Sequence, residues 1–228
     1  MRMRKKKNSA QRLAAASRLL CTDPETVKAD PQCPFGGTPA ALHLEIGCGK
    51  GKFSVEMAAK YKDIHFYAVE RVTDVMICAL ERVLQSEDAC KDNLRFILGD
   101  AGDLGQWFPP CTFDCIYLNF SDPWPKSGYY KRRLTYRAFL EIYKTLLKPD
   151  GVLRLKTDNE KLFSFSLGEF EAAGMPLLKV SRDLHHSEYA KENVMTEYEM
   201  NFSSQGMPVY FAEAAVQDGS EPGVLAKD

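Results

Sequence analysis

The sequence contains no apolar run of membrane-spanning length, which argues against a protein held in the membrane by transmembrane helices. Its basic first residues run directly into polar ones, a pattern that is not typical of a signal peptide. We therefore expect a cytoplasmic protein without a membrane partner. The chain also has no excess of one charge, since 30 Lys and Arg oppose 31 Asp and Glu. A polyanionic partner would have to be bound by a local basic patch.

The seven cysteines include no CxxC pair, so neither a disulfide framework nor a zinc site is indicated, and we expect no metal. Several of them lie in apolar runs, where cysteine is typical of a packed core. No internal repeat or low-complexity segment is present. With 228 residues, 45% of them hydrophobic, the chain is long enough for one sizeable core.

A regular alternation of strand and helix patterns begins at Ala41. Five strand patterns, ALHLEI, IHFYAV, LRFIL, FDCIYLNF and VLRLKT, are separated by helix patterns or by a short connection. Because parallel strands need crossovers, this order predicts an α/β, Rossmann-like fold, with a mostly parallel central sheet and helices on both faces. PLLKVSRDL and PVYFAEAAV are expected to form an antiparallel C-terminal strand pair. We divide the chain into a basic, partly irregular extension (1–40), the α/β domain (41–216) and a C-terminal tail (217–228).

The stretch LEIGCGKGKF joins a strand to a helix through a loop with three glycines, Gly47, Gly49 and Gly51. Such a loop brings the backbone close to a nucleotide-like ligand. A dinucleotide-binding GxGxxG loop would need glycine where Lys52 stands, and a phosphate-binding GxxxxGK[ST] loop would need a hydroxyl where Phe53 stands. The remaining pattern, ExGxGxG from Glu45, resembles the first motif of S-adenosylmethionine-dependent methyltransferases.

Two further acids end the next strands of the predicted sheet. Glu70 ends the second strand, where an acid in such folds bonds both ribose hydroxyls, and Asp100 ends the third, within reach of an adenine amino group. Ligands of open parallel sheets bind at the carboxyl ends of the strands, so we expect these acids and Glu45 to converge on one crevice. Taken singly, each acid is better explained as a helix N-cap or a solvated turn.

The segment 119–137, NFSDPWPKSGYYKRRLTYR, follows the fourth strand. Asp122 therefore projects into the same crevice, and Pro123 and Pro125 stiffen the loop that carries it. The basic and aromatic residues that follow are typical of a groove for a nucleic-acid strand, with cations for phosphates and rings for bases. The alternative is a solvated helix start whose tyrosines turn to the core. Contacts to the RNA backbone are expected from Lys131, Arg132 and Arg133.

Three stretches, LNFSDPWPK…KRRLT, LKTDN and NVMTEYE, together resemble the bacterial tRNA (guanine-N7-)-methyltransferase family. The match runs in order from about Glu45 to the 210s. The resemblance implies a class I methyltransferase that transfers a methyl group from S-adenosyl-L-methionine to N7 of the guanosine at position 46, in the variable loop of tRNA. The product would be 7-methylguanosine.

The resemblance also implies roles for particular residues. The family's cofactor-contacting acids match Glu45, Glu70, Asp100 and Asp122, beside the three loop glycines, and Asp122 is also the expected catalytic residue. The positions that match RNA-substrate residues are Lys126, Asp158, Thr196, Glu197, Tyr198 and Glu199. Where the family usually has arginine and histidine after WPK, this chain has Ser127, Gly128, Tyr129 and Tyr130, so we expect its local RNA contacts to differ.

Guanine N7 carries an in-plane lone pair and no proton, so its methylation needs no general base. We expect catalysis from alignment of the reactants and from the Asp122 carboxylate beside the cationic product. Glu197 and Glu199 are expected to accept hydrogen bonds from the guanine edge. Two alternatives stay open. One is a methyltransferase of the same fold with another substrate, disfavoured by the basic run 126–137, and the other is a non-catalytic RNA-binding protein, disfavoured by the intact acids. A homodimer is also left open.

Overall fold

The structure, a computed structural model, describes residues 6–86, 92–203 and 206–216. The strands of these residues are β1 (Leu20–Cys21), β2 (Ala41–Ile46), β3 (Ile64–Glu70), β4 (Leu94–Leu98), β5 (Phe113–Asn119), β6 (Leu147–Thr157), β7 (Leu177–Ser181) and β8 (Tyr210–Ala215). The helices are α1 (Ser9–Ala15), α2 (Pro24–Ala29), α3 (Lys52–Lys60), α4 (Thr73–Gln85), α5 (Leu104–Trp107), α6 (Arg137–Leu146), α7 (Glu160–Ala172) and α8 (Glu197–Ser203). None of these helices is both long and apolar enough to cross a membrane.

The strands form one sheet in the order β1-β4-β3-β2-β5-β6-β8-β7. All neighbouring pairs are parallel except those of β8, which runs antiparallel to β6 and to β7. The predicted mostly parallel sheet with an antiparallel C-terminal strand pair is therefore confirmed. Strand β2 has β3 as its neighbour on one side and β5 on the other, so the strand order reverses direction at β2. Open sheets of this kind bind ligands at such a reversal point, outside the carboxyl ends of the strands.

Apolar side chains fill both faces of the sheet, which explains why its central strands read as nearly continuous apolar runs. On one face, Leu140 and Tyr143 of α6 pack on Leu44 and other buried residues of the sheet. On the other face, Met76 of α4 packs with Phe66 of β3. The predicted helical layers on both faces are thus confirmed.

The described part of the segment before Ala41 is more regular than its sequence pattern indicates. Leu20 and Cys21 pair with β4 at the edge of the sheet. Val27 of α2 and Phe35 are buried in the main core. A two-residue strand is too short to show the alternation from which strands are predicted, so this element could not be read from the sequence. The boundary at residue 41 stays a prediction, and residues 1–5 and the predicted tail 217–228 lie outside the described residues.

Candidate active site

A cavity of about 600 Å³ opens at the carboxyl ends of β2, β3, β4 and β5. We call it the crevice. Glu70, Asp100 and Asp122 line it, together with Gly47 of the glycine loop and Trp124 of the proline-rich loop. Three of the four predicted acids therefore meet at the reversal point of the sheet, although they lie far apart in sequence.

The glycine loop turns three times through the left-handed region, with φ of 77° at Gly47, 58° at Gly49 and 74° at Gly51. Non-glycine residues rarely adopt these values. Beside Gly47 and Gly49 a β-carbon would meet nothing within 4 Å, so the loop leaves room for a ligand to approach the backbone. Gly51 has a different role, because a β-carbon there would lie 2.8 Å from the β-carbon of Ala79 in α4.

Glu70 fixes the shape of this loop. One of its carboxylate oxygens accepts a hydrogen bond from the Gly49 amide at 3.1 Å, and the other accepts one from the Val72 amide at 2.9 Å. Asp100 caps a short turn in the same way, with Oδ1 accepting from the Gly102 amide at 3.0 Å. Each acid thus holds its own loop and also borders the crevice.

Glu45, the fourth predicted acid, does not line the crevice. Its buried carboxylate accepts hydrogen bonds from Ser54 Oγ of α3 and from Asn119 Nδ2, the latter at 2.9 Å. Burial raises the pKa of Glu45, while these hydrogen bonds act in the opposite direction. Successive residues of a strand point to opposite faces, so Ile46 borders the crevice and Glu45 points to α3. Here the carboxylate joins α3 to β5, and the predicted cofactor contact of Glu45 is not supported by its position.

The loop that carries Asp122 is held rigidly. Trp124 has a left-handed φ of 41°, which is strained for a residue other than glycine. Arg133 holds this turn by donating to the carbonyl oxygen of Pro123 at 2.9 Å and to that of Trp124 at 3.3 Å. The Asp122 side chain itself is 73% exposed, with Arg71 at 4.0 Å. Next to it, Ser121 Oγ is buried at the crevice wall without a hydrogen-bond partner in the described structure.

The TEYE sequence at 196–199 starts α8 with a capping box. Thr196 Oγ1 accepts from the Glu199 amide at 2.9 Å, and the Glu199 carboxylate accepts from the Thr196 amide at 3.2 Å. The same carboxylate is fully buried and lies 2.8 Å from Lys156 Nζ. Asn193 Nδ2 and His185 Nε2 contact its other oxygen at 2.6 and 2.8 Å.

These contacts decide the role of Glu199. Burial alone would raise the pKa of Glu199, but the charge and hydrogen bond of Lys156 outweigh it and lower the pKa. The carboxylate is therefore ionised, and both of its oxygens are used inside the protein. The predicted hydrogen bonds from a guanine edge to Glu199 are not supported by this arrangement, because no side of the group faces solvent.

Glu197, two residues earlier, connects α8 to the glycine loop. Its carboxylate lies 2.9 Å from Nζ of Lys50, which stands between Gly49 and Gly51, and 2.6 Å from the Arg82 guanidinium of α4. The hydrogen bond from Lys50 lowers the pKa of Glu197.

Tyr198 instead contacts Phe120, a residue of the crevice wall. Its ring contacts that of Phe120 at 5.1 Å between centroids, and its hydroxyl donates to Asp158 at 3.4 Å. The two predicted substrate residues Asp158 and Tyr198 therefore meet beside the crevice.

The predicted RNA-backbone cations Lys131, Arg132 and Arg133 are placed differently from one another. Lys131 is exposed and borders the crevice, and the predicted substrate residue Lys126 is also exposed. The Arg132 guanidinium lies over the rings of both Trp124 and Tyr129. Arg133 is used within the protein, since its guanidinium holds the loop and lies 4.3 Å from the Phe165 ring centroid. A phosphate contact from Arg133 is therefore not supported.

Comparison with known proteins decides the family. A family model described as "Putative methyltransferase" matches residues 39–212. The tRNA (guanine-N(7)-)-methyltransferase of Streptococcus mutans is 42% identical over 214 residues, which cover 94% of this chain and 99% of that protein. The tRNA (guanine-N(7)-)-methyltransferase of Brevibacillus brevis is 46% identical over 179 residues, covering 78% of this chain and 82% of that protein. This chain belongs to the tRNA (guanine-N(7)-)-methyltransferase family.

A solved structure supports the fold. The 16S rRNA (adenine(1408)-N(1))-methyltransferase of Catenulisporales acidiphilia, which was solved with its cosubstrate SAM, is similar with a TM-score of 0.59 and 14% identity, covering 89% of this chain and 95% of that one. The predicted Rossmann-like methyltransferase fold of this family member is confirmed.

This member of the tRNA (guanine-N(7)-)-methyltransferase family has a second cavity, of about 330 Å³, on the α3 face. It shares no lining residue with the crevice. Its cations are paired with acids, Lys156 with Glu199 and both Arg154 and Lys179 with Glu213. Since Glu70, Asp100 and Asp122 border the crevice and not this second cavity, we assign the site to the crevice.

Sequence reasoning missed one residue of the crevice, Ser121, and one buried ion-pair partner outside the crevice, Lys156. Lys156 belongs to the LKTDN stretch and lies in the buried part of a strand. A lysine buried in a strand indicates that a carboxylate lies beside it to balance its charge. Ser121 gave no signal in the sequence, because a serine before Asp122 reads as an ordinary turn residue.

Proposed function

We propose that this chain is an S-adenosyl-L-methionine-dependent tRNA (guanine-N7-)-methyltransferase that converts the variable-loop guanosine at position 46 to 7-methylguanosine. The observation that carries the proposal is the placement of Glu70, Asp100 and Asp122 around one crevice, bordered by exposed cations and aromatic rings. The two relatives from Streptococcus mutans and Brevibacillus brevis bear the name of this activity.

The crevice suits the cofactor in shape and in polar groups. When bound, S-adenosyl-L-methionine supplies a sulfonium methyl group to the reaction. The open space beside Gly47 and Gly49 admits a ligand against the backbone, and the buried Ser121 hydroxyl offers it a hydrogen bond. In this proposal Glu70 accepts from ribose hydroxyls and Asp100 from an adenine amino group, which is supported by their positions at the crevice beside neighbouring strand ends.

Asp122 is the residue to which we assign catalysis. Guanine N7 has a lone pair in the plane of the ring and no proton, so no residue has to remove one. The ring becomes cationic as the new bond forms, and a fixed carboxylate beside it stabilises that charge. The rigid loop around Trp124 keeps the backbone of Asp122 at the rim before the substrate arrives, with the Arg71 guanidinium 4.0 Å from the carboxylate. Alignment of the reacting atoms supplies the rest, a contribution that reaches about 7 to 11 kcal/mol.

The RNA is bound by groups that surround this carboxylate. Lys126 donates to the guanine 6-oxygen or to a phosphate, and Lys131 contacts the RNA backbone, since both are exposed. Asp158 and Tyr198 form one wall of the substrate position. Glu197 contributes by holding α8 against the glycine loop, and Thr196 by capping α8.

We place this activity in the cytoplasm. Whether the protein is a homodimer stays open and is tested by sedimentation equilibrium. That it holds no metal stays a prediction, which elemental analysis of the purified protein tests.

The proposal is tested with tritium-labelled S-adenosyl-L-methionine and two tRNA transcripts that differ only at the variable-loop guanosine, which is replaced by adenosine in one. We expect label in the first transcript and none in the second. Equal labelling of both would leave a methyltransferase of the same fold and overturn the substrate assignment.

A further inference from the structure

Three side chains form an ordered platform at the rim of the crevice. The guanidinium carbon of Arg132 lies 5.0 Å from the Trp124 ring centroid and 4.8 Å from the Tyr129 ring centroid. The two rings meet edge to face, with centroids 6.0 Å apart. Trp124 and Arg132 line the crevice, and Tyr129 extends the platform outwards with 42% of its surface exposed.

The platform is preorganised by its backbone. Arg133 holds the carbonyl groups of Pro123 and Trp124, and the Tyr129 amide donates to the Lys126 carbonyl at 2.9 Å in the short turn Ser127–Arg132. A partner that binds here does not have to order the rings first. Core packing does not explain their position, since Tyr129 and Arg132 are both exposed.

The chemistry of the platform fits a nucleobase. Flat aromatic rings and a guanidinium plane stack on bases of any sequence. The segment 123–140 adds only positive charge, since it contains no acid, and Asp122 precedes it at the crevice. Lys126 and Lys131 therefore attract the phosphates on either side of a stacked base.

We propose that the Tyr129 ring, held in place by Trp124 and Arg132, stacks on the unpaired nucleotide next to the guanosine that enters the crevice. This inference rests on the proposed function, since both nucleotides belong to the same tRNA. A base that leaves its stack to reach an active site leaves its neighbour without a partner, at a cost of a few kcal/mol. The Tyr129 ring replaces that partner, and Arg132 supports the ring and does not serve as a phosphate contact.

The test uses tRNA transcripts with 2-aminopurine, whose fluorescence falls on stacking, at the nucleotide before or after the target guanosine. We expect the protein to quench one of the two positions. Tyr129→Ala should abolish this quenching and raise KM for tRNA about 5- to 150-fold, which corresponds to the loss of one base stack. Its kcat and its affinity for S-adenosyl-L-methionine should stay unchanged.

Two variants control the test. Tyr129→Phe keeps the ring and should retain quenching and KM. Tyr130→Ala removes a neighbouring tyrosine of similar exposure, 39%, whose ring packs on Tyr136 and not on Arg132, and it should leave the quenched position unchanged.

The outcomes separate this inference from the proposed function. If the parent protein methylates tRNA and Tyr129→Ala keeps both quenching and KM, the platform assignment is overturned. If the parent transfers no methyl group but quenches one position, and Tyr129→Ala abolishes that, the platform stands and the proposed function fails.

Discussion

The buried ion pair between Lys156 and Glu199 allows a prediction from its geometry. One Glu199 oxygen accepts from Lys156 and the Thr196 amide, and the other contacts Asn193 and His185. In Glu199→Gln an amide nitrogen replaces one oxygen, so it faces either Lys156 and the Thr196 amide or Asn193 Nδ2 and His185, and meets at least one donor whichever way it points. Lys156 meanwhile loses the buried anion that offsets the cost of its own burial.

Breaking a buried pair by removing one partner costs about 3 to 5 kcal/mol. For a chain of this size such a loss lowers the melting temperature by roughly 6 to 20 °C. Urea unfolding and thermal melting of Glu199→Gln and the parent measure it. The matched control is Glu160→Gln, in which the carboxylate pairs with Arg182 at 3.2 Å but is 65% exposed, and which should cost no more than about 1 kcal/mol.

The pH dependence adds a second measurement on the same variants. Because the pKa of Glu199 is lowered in the folded state, its stabilising contribution is present above the ordinary glutamate pKa of about 4.3 and is lost as the pH falls towards the lowered value. The difference in unfolding free energy between the parent and Glu199→Gln should therefore shrink in acid. A loss below about 1 kcal/mol at neutral pH, or a difference that does not shrink in acid, would refute the buried-pair reasoning.

Three further predictions concern the crevice. Asp122→Asn should lower kcat by about 10²- to 10³-fold, far more than it lowers the affinity for S-adenosyl-L-methionine measured by calorimetry; normal turnover would remove the catalytic role. Gly51→Ala should lower the unfolding free energy by about 1 to 3 kcal/mol, because its new β-carbon meets Ala79 and its φ is left-handed; an unchanged urea midpoint would contradict this. Glu70→Gln should weaken cofactor binding about 10- to 150-fold, since it loses charged hydrogen bonds that hold the loop, and equal affinity by calorimetry would count against it.

The central sheet was predictable because each of its inner strands has a long apolar pattern and a helix or short connection after it. That order alone brings Glu70, Asp100 and Asp122 to one edge. The position of Glu45 was also readable, since Leu44 and Ile46 flank it and alternation turns it to the opposite face. The prediction that Glu45 contacts the cofactor followed the glycine motif instead of this alternation.

Other features could be predicted only in part. Thr196 and Glu199 have the spacing of a capping box, which predicts the start of α8. The partner of Glu199 could not be predicted from the sequence. Lys156 lies on β6 and meets Glu199 of α8 only because β8, which follows α8, pairs antiparallel with β6. The Trp124 platform also depends on three-dimensional placement, because the sequence shows only that rings and cations are near one another.

The central claim is that the crevice presents a methyl donor to the unprotonated N7 of one guanosine. A tRNA carrying 7-deazaguanosine at that position lacks only the attacking nitrogen. We expect it to bind with the affinity of the parent tRNA and to accept no methyl group from labelled S-adenosyl-L-methionine. Transfer of label to the deaza tRNA at the parental rate would contradict the account.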